Sequence, residues 1–239
     1  MREARTRATI PLAAATLVLA AAAAAHGDAA SSGGEGTEVR VRSIPAEDPN
    51  GVEVSRPPIA WHPSRAVGRP DHGRLLDGVQ LPAEGADYVT WDPVLDRRPN
   101  RAWRRWGTDR LLRVFLRTAA AYRRAHPRAQ RLVVGDLSRP NGGHFGPEFG
   151  GVGHASHQNG LDIDIFYPRR DRRLSEPVRV GQIDRPLAQD LVNRFVAAGA
   201  QYVFVGPHTG LRGPRPIVQP LYLHDNHMHV RIHNPLGDG

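Results

Sequence analysis

His227-Met228-His229-Val230-Arg231-Ile232-His233 alternates polar and apolar residues, and Leu161-Asp162-Ile163-Asp164-Ile165-Phe166-Tyr167 does so earlier in the chain. In an extended strand, successive side chains point to opposite faces. The first stretch therefore puts His227, His229 and Arg231 on one face, with Met228, Val230 and Ile232 on the other. The second puts Asp162 and Asp164 together, with Ile163 and Ile165 opposite. Each strand thus carries a polar, metal-competent face above an apolar one that must be buried. If the two strands are neighbours their axes lie ~5 Å apart. Asp164 and His229 can then reach one ion at ~2 Å from each donor atom. His157, in the glycine-rich loop before the aspartate strand, can close the third side.

The pattern around these strands is mixed. Leu111, Leu112, Phe115, Leu116, Ala119 and Tyr122 recur at helical spacing, with Thr108 as N-cap and Pro127 as stop, which predicts a helix to about His126. A second helix is predicted over 186–198, with Pro186 in its first turn and Gly199 behind it. Leu132-Val133-Val134 and Tyr202-Val203-Phe204-Val205 read as strands. The expected fold class is α+β: a mainly antiparallel central sheet carrying a zinc site, flanked by helices and long glycine-rich loops.

Composition narrows the chemistry. The 239 residues hold 40% hydrophobic residues, enough for a sizeable core, and no cysteine. The absence of cysteine excludes disulfides, thiolate zinc fingers, iron–sulfur clusters and cysteine nucleophiles. All 32 basic residues are arginine, giving a net charge of +8. Such a surface would suit an anionic partner, but the arginines form no single dense tract and no aromatic residues are interleaved for base stacking.

The N-terminus argues against a nucleic-acid partner. Arg2, Arg5 and Arg7 precede an apolar, alanine-rich run from Ile10 to Ala25, with small residues through Ala30. A basic start, a short apolar stretch and a small-residue exit are the marks of a secretory signal, and the run is shorter than the ~20 residues of a membrane span. The expected organisation is a signal peptide at 1–30, a flexible tether at 31–58 and one globular domain at 59–239 that carries the metal-competent strands. The expected product is an exported protein of the periplasm or cell-wall space, with no stable membrane insertion after cleavage. Val39-Arg40-Val41-Arg42 in the tether could form an edge strand.

Eight of the 12 histidines lie between positions 144 and 233. Two imidazoles and one carboxylate form the ligand set of a catalytic zinc that keeps a position for water. There is no His-Glu-x-x-His helix to supply a glutamate base, which leaves His227 as the natural candidate. Its competing reading is a fourth ligand that closes the site. Arg231 could bind a substrate carboxylate or be a solvated strand-end arginine. His144 could line a groove or sit on the surface.

At these residues the sequence resembles the penicillin-insensitive murein endopeptidases, relatives of the lysostaphin-type and D-Ala-D-Ala metallopeptidases. The matching stretches are Gly73–Pro82, Gly135-Asp136-Leu137-Ser138, Gly142-Gly143, His154–Asp164 and His224–Arg231. The resemblance spans roughly residues 68–233. It implies that His157, Asp164 and His229 hold one Zn²⁺ per chain and that His227 is catalytic. His154 and His224 match further positions of the pattern, as partners of the ligands or contacts to substrate, and Asp162 would orient a ligand. The implied substrate is the peptide cross-link of peptidoglycan, at the D-alanyl to diamino acid bond. The alternative is an inactive zinc-containing wall-binding module. Two departures stand out. The family's cysteines are missing, and the arginine-rich stretch between Asp164 and Pro186 does not match, so a second metal site is not carried over.

Overall fold

A computed structural model describes residues 58–237. The expected signal peptide at 1–30, the expected tether up to residue 57 with the Val39–Arg42 stretch, and the last two residues lie outside the described residues.

Two short pairings open the fold: the hairpin of β1 (Arg65–Arg69) with β2 (His72–Leu76), and β3 (Val79–Gln80) with β5 (Trp106–Gly107). The main sheet has six strands: β4 (Tyr88–Thr90), β6 (Leu132–Val134), β7 (Asp162–Phe166), β8 (Ala200–Val205), β9 (Val218–Pro220) and β10 (His227–Ile232). Their spatial order is β4-β6-β7-β10-β8-β9. The three inner pairings are antiparallel, while the two edge pairings, β4 on β6 and β8 on β9, are parallel. The sheet is therefore mixed, antiparallel at its centre where the alternating strands lie.

Two helices complete the architecture. Helix α1 (Asp109–Ala125) begins where the Thr108 hydroxyl accepts from the Leu111 amide at 3.2 Å. It buries Leu111, Leu112, Phe115, Ala119 and Tyr122. Helix α2 (Arg185–Ala197) starts on the Asp184 carboxylate, which accepts from the Leu187 amide at 3.3 Å. Gly199, at φ 80°, follows its end in the left-handed conformation that glycine alone adopts cheaply. Both boundaries fall within one residue of those expected from spacing and caps.

The helices and the apolar face of the sheet share one core. Ile163 and Ile165 of β7 and Met228, Val230 and Ile232 of β10 are all buried in it with Phe115, Leu191 and Phe195. Burying each such side chain contributes ~1.5–3 kcal/mol. The opposite face carries a smaller apolar cluster, Val89, Val133 and Phe166. Phe166 shares its face with Asp162 and Asp164, so this cluster flanks the polar site.

Candidate metal centre

Strands β7 and β10 are direct neighbours, and their register sets His229 opposite Asp164 and Arg231 opposite Asp162. His157 arrives from the preceding loop in a left-handed conformation, φ 66°. Its amide donates to Asp162 Oδ2 at 2.9 Å, which holds that turn in place.

The tautomers follow from the partners. His157 Nδ1 lies 2.7 Å from the Leu137 carbonyl, which can only accept, so Nδ1 carries hydrogen and Nε2 presents a lone pair. His229 Nε2 lies 3.0 Å from Asp162 Oδ1 and donates to that carboxylate, which turns Nδ1 inward. His157 Nε2, His229 Nδ1 and Asp164 Oδ1 then lie 3.2, 3.2 and 3.3 Å from one another. Donors ~2.0–2.1 Å from a tetrahedral ion stand about 3.3 Å apart, so the three atoms match one tetrahedral face. Asp164 Oδ1 is buried and has no hydrogen-bond partner. An ionised oxygen facing imidazole nitrogens, with no hydrogen bond, is a donor set arranged for a cation.

Electrostatics point the same way. Burial alone would lower His229, but Asp162 and Asp164 outweigh it and hold its pKa up at about 9. Asp162 and Asp164 both lie well below the usual carboxylate range: burial pushes them up, but His229 and Arg231 at Asp162, and the facing His157 and His227 at Asp164, outweigh it. The position attracts positive charge.

His154 offers a second grouping. One ligand atom from each of His154, His157 and Asp164 lies within 4.8 Å of the others. Its Nδ1 stands 3.8 Å from Asp164 Oδ2, while Nε2 pairs with Asp136 Oδ2 at 2.7 Å. The triangle that includes His229 is tighter and fits one ion better; His154 flanks it.

His227 is placed differently. Its Nε2 lies 3.7 Å from Asp164 Oδ1, farther than either His157 or His229. Its Nδ1 lies 2.7 Å from Asn226 Oδ1. Asn226 Nδ2 donates to Glu176 Oε2 at 2.8 Å, which turns the amide oxygen toward the imidazole. Nδ1 is therefore the protonated nitrogen, and the Nε2 lone pair faces the centre. Burial lowers the pKa of His227 to about 3, so it is neutral at pH 7. His224 packs 4.6 Å from the His227 ring, centroid to centroid, with its Nδ1 2.8 Å from the Tyr222 carbonyl.

Arg231 is occupied: Nε donates to Asp162 Oδ1 at 2.6 Å, and a second donor reaches Oδ2 at 3.3 Å. The guanidinium braces the carboxylate that orients His229, and it is not free for a substrate carboxylate. His144 is exposed, 3.1 Å from Glu148.

Two groups of this neighbourhood carry no signal in the sequence. Arg104, fully buried, makes a two-pronged pair with Asp136 at 2.7 and 2.5 Å, and Asp136 anchors His154. Nothing distinguishes Arg104 from the other arginines of the chain. Glu176, which sets the Asn226 amide, lies in the stretch that matches no pattern. Asp136 is marked only as part of the matching stretch Gly135-Asp136-Leu137-Ser138, with no role attached.

The sequence profile of the penicillin-insensitive murein endopeptidase family matches residues 66–195. A protein of that name from Yersinia enterocolitica is 33% identical over 140 residues, 56% of this chain and 42% of its own. One from Pectobacterium atrosepticum is 32% identical over 136 residues, 57% and 42% of the two chains. One from Yersinia pestis is 29% identical over 205 residues, 74% and 69%. The matched region thus spans about two fifths of the first two relatives.

Proposed function

The chain belongs to the penicillin-insensitive murein endopeptidase family, and from that premise we propose that it is an exported zinc endopeptidase that hydrolyses peptide cross-links of peptidoglycan. The observation that carries the reading is the triangle of His157 Nε2, His229 Nδ1 and Asp164 Oδ1, with 3.2–3.3 Å edges. These three residues would hold one Zn²⁺. When bound, zinc supplies Lewis acidity, polarising a carbonyl and lowering the pKa of a water to ~7. The chain's own residues do the rest. Asp162 fixes the His229 tautomer and the His157 turn, with Arg231 behind it. His227, neutral and with its Nε2 lone pair facing the centre, accepts a proton at Nε2 and can return it to the leaving amine. His154 and His224 line the two sides of the ligand cluster and would contact substrate.

Peptidoglycan as substrate rests on the names of the relatives. The D-alanyl to diamino acid bond is the expected point of cleavage. Residues 1–30 as a signal, 31–58 as a tether and 59–239 as the catalytic domain complete the proposal, with action in the periplasm or cell-wall space. No helix among the described residues is long and apolar enough to cross a membrane.

The test is a digest of a defined cross-linked muropeptide, read by mass. The expected products are two peptides whose summed mass exceeds the substrate by one water. Formation should stop with a chelator and resume with added zinc. Binding to the wall without cleavage under any metal condition would favour the inactive module instead.

A further inference from the structure

A cleft of about 600 Å³ lies between the β1–β2 hairpin and the loop carrying Gly143 and His144. Gln158, one of its lining residues, directly follows His157 in the chain. Its floor is tied together by backbone bonds: Gly143 donates to the Gln158 carbonyl at 2.8 Å, and the Gln158 amide donates to Pro70 at 3.0 Å. Gly143 has φ 78° and open space where a Cβ would stand, so the backbone itself faces the cleft. Gly142 next to it admits no side chain, since a Cβ would lie 2.0 Å from the Gln158 carbonyl.

The charges lining the cleft are unequal in what they have left to give. Asp71 is taken by Arg69, at 3.0 and 2.7 Å. His144 faces Glu148 at 3.1 Å. Arg74, an exposed residue, lines the cleft, and among the described residues its guanidinium makes no hydrogen bond or ion pair. An unengaged planar fork of donors in a cleft recognises a carboxylate in two-pronged fashion. Arg231 is already bound to Asp162, so Arg74 is the better-placed arginine for this task.

We propose that this cleft is the subsite for a free carboxylate of the cross-linked peptide, and that Arg74 is the specificity-determining residue that binds it. The inference rests on the endopeptidase reading above. Peptide segments near a cross-link carry free α-carboxylates, and one held by Arg74 would lie along the exposed Gly143 backbone and place the adjoining amide near the centre. Losing one charge-assisted contact of this kind costs tenfold or more in affinity.

The test uses the full chain and one cross-linked muropeptide prepared in two forms, with free and with amidated carboxylates. Steady-state kinetics on both forms should show Arg74→Gln raising KM about tenfold or more on the free acid, with the wild-type-to-variant ratio falling to near one on the amide. Arg74→Lys should recover part of the loss, which separates lost charge from a damaged fold. Direct binding of the free acid to metal-stripped protein should weaken by a similar factor in Arg74→Gln. Equal KM for variant and wild type on the free acid, or an equal loss on both forms, overturns the subsite. If neither form is cleaved but Arg74→Gln still weakens binding selectively for the acid, the subsite stands and the endopeptidase reading falls. If cleavage proceeds while binding is unmoved by the variant, the reverse holds.

Discussion

Replacing His227 with alanine is expected to leave the zinc content near that of the wild type and to cut turnover by ~10²–10⁴-fold, the usual loss on removing one acid–base or oxyanion-stabilising group. The expectation follows from position. His157 Nε2 and His229 Nδ1 each come within 3.3 Å of Asp164 Oδ1, whereas His227 Nε2 stays at 3.7 Å. The Glu176–Asn226 pair fixes its tautomer, and burial keeps it uncharged at pH 7. It is thus a neutral base held beside the centre without completing the ligand triangle. Metal content and kcat measured on the same preparation decide the matter. Near-normal turnover, or metal loss as complete as that of a ligand variant, would make His227 something other than the catalytic histidine.

The second large effect concerns stability. Arg104 and Asp136 are each only 1% exposed and form a two-pronged ion pair. Asp136 also accepts from Asn100 Nδ2 at 2.9 Å and pairs with His154 at 2.7 Å. These partners hold it far below the usual carboxylate range although burial pushes it up, so it stays ionised in the folded protein. Arg104→Met would leave that charge buried without its main counter-ion. Breaking a buried pair by removing one partner costs ~3–5 kcal/mol, a large share of the ~5–15 kcal/mol that keeps a domain folded. The urea midpoint should fall accordingly with little change in slope. The double variant Arg104→Met with Asp136→Leu should lose less than Arg104→Met alone, because it strands no charge. A single variant within 1 kcal/mol of the wild type, a bound set by ordinary exposed pairs at ~0–1 kcal/mol, would show that the pair holds nothing.

The parts of this molecule that were legible in the sequence are those ruled by a period. Helix α1 has an apolar stripe, a threonine cap and a proline stop, and its limits were readable to within a residue. The alternation of β7 and β10 told which residues share a face, and the pairing of His229 with Asp164 follows once the two strands are neighbours. Short elements were missed. Strand β9, Val218–Pro220, has three residues and ends in proline, too brief for a period to show. The β1–β2 hairpin contains Gly68 and Gly73, which dilute its alternation. The parallel edge pairings depend on which distant segments meet, and local pattern does not encode that. The surroundings of the site were hidden for a related reason. Arg104–Asp136 and Glu176–Asn226 join residues far apart in the chain, and a buried arginine looks like an exposed one until its partner is known.

The central claim is that His157, Asp164 and His229 together hold one zinc ion. Its most direct measurement is elemental analysis of the purified protein beside His229→Ala, both dialysed against the same zinc-buffered solution. The account predicts about one zinc per wild-type chain, as a single three-ligand site requires, and little or none in His229→Ala. Unchanged zinc in the variant would contradict it.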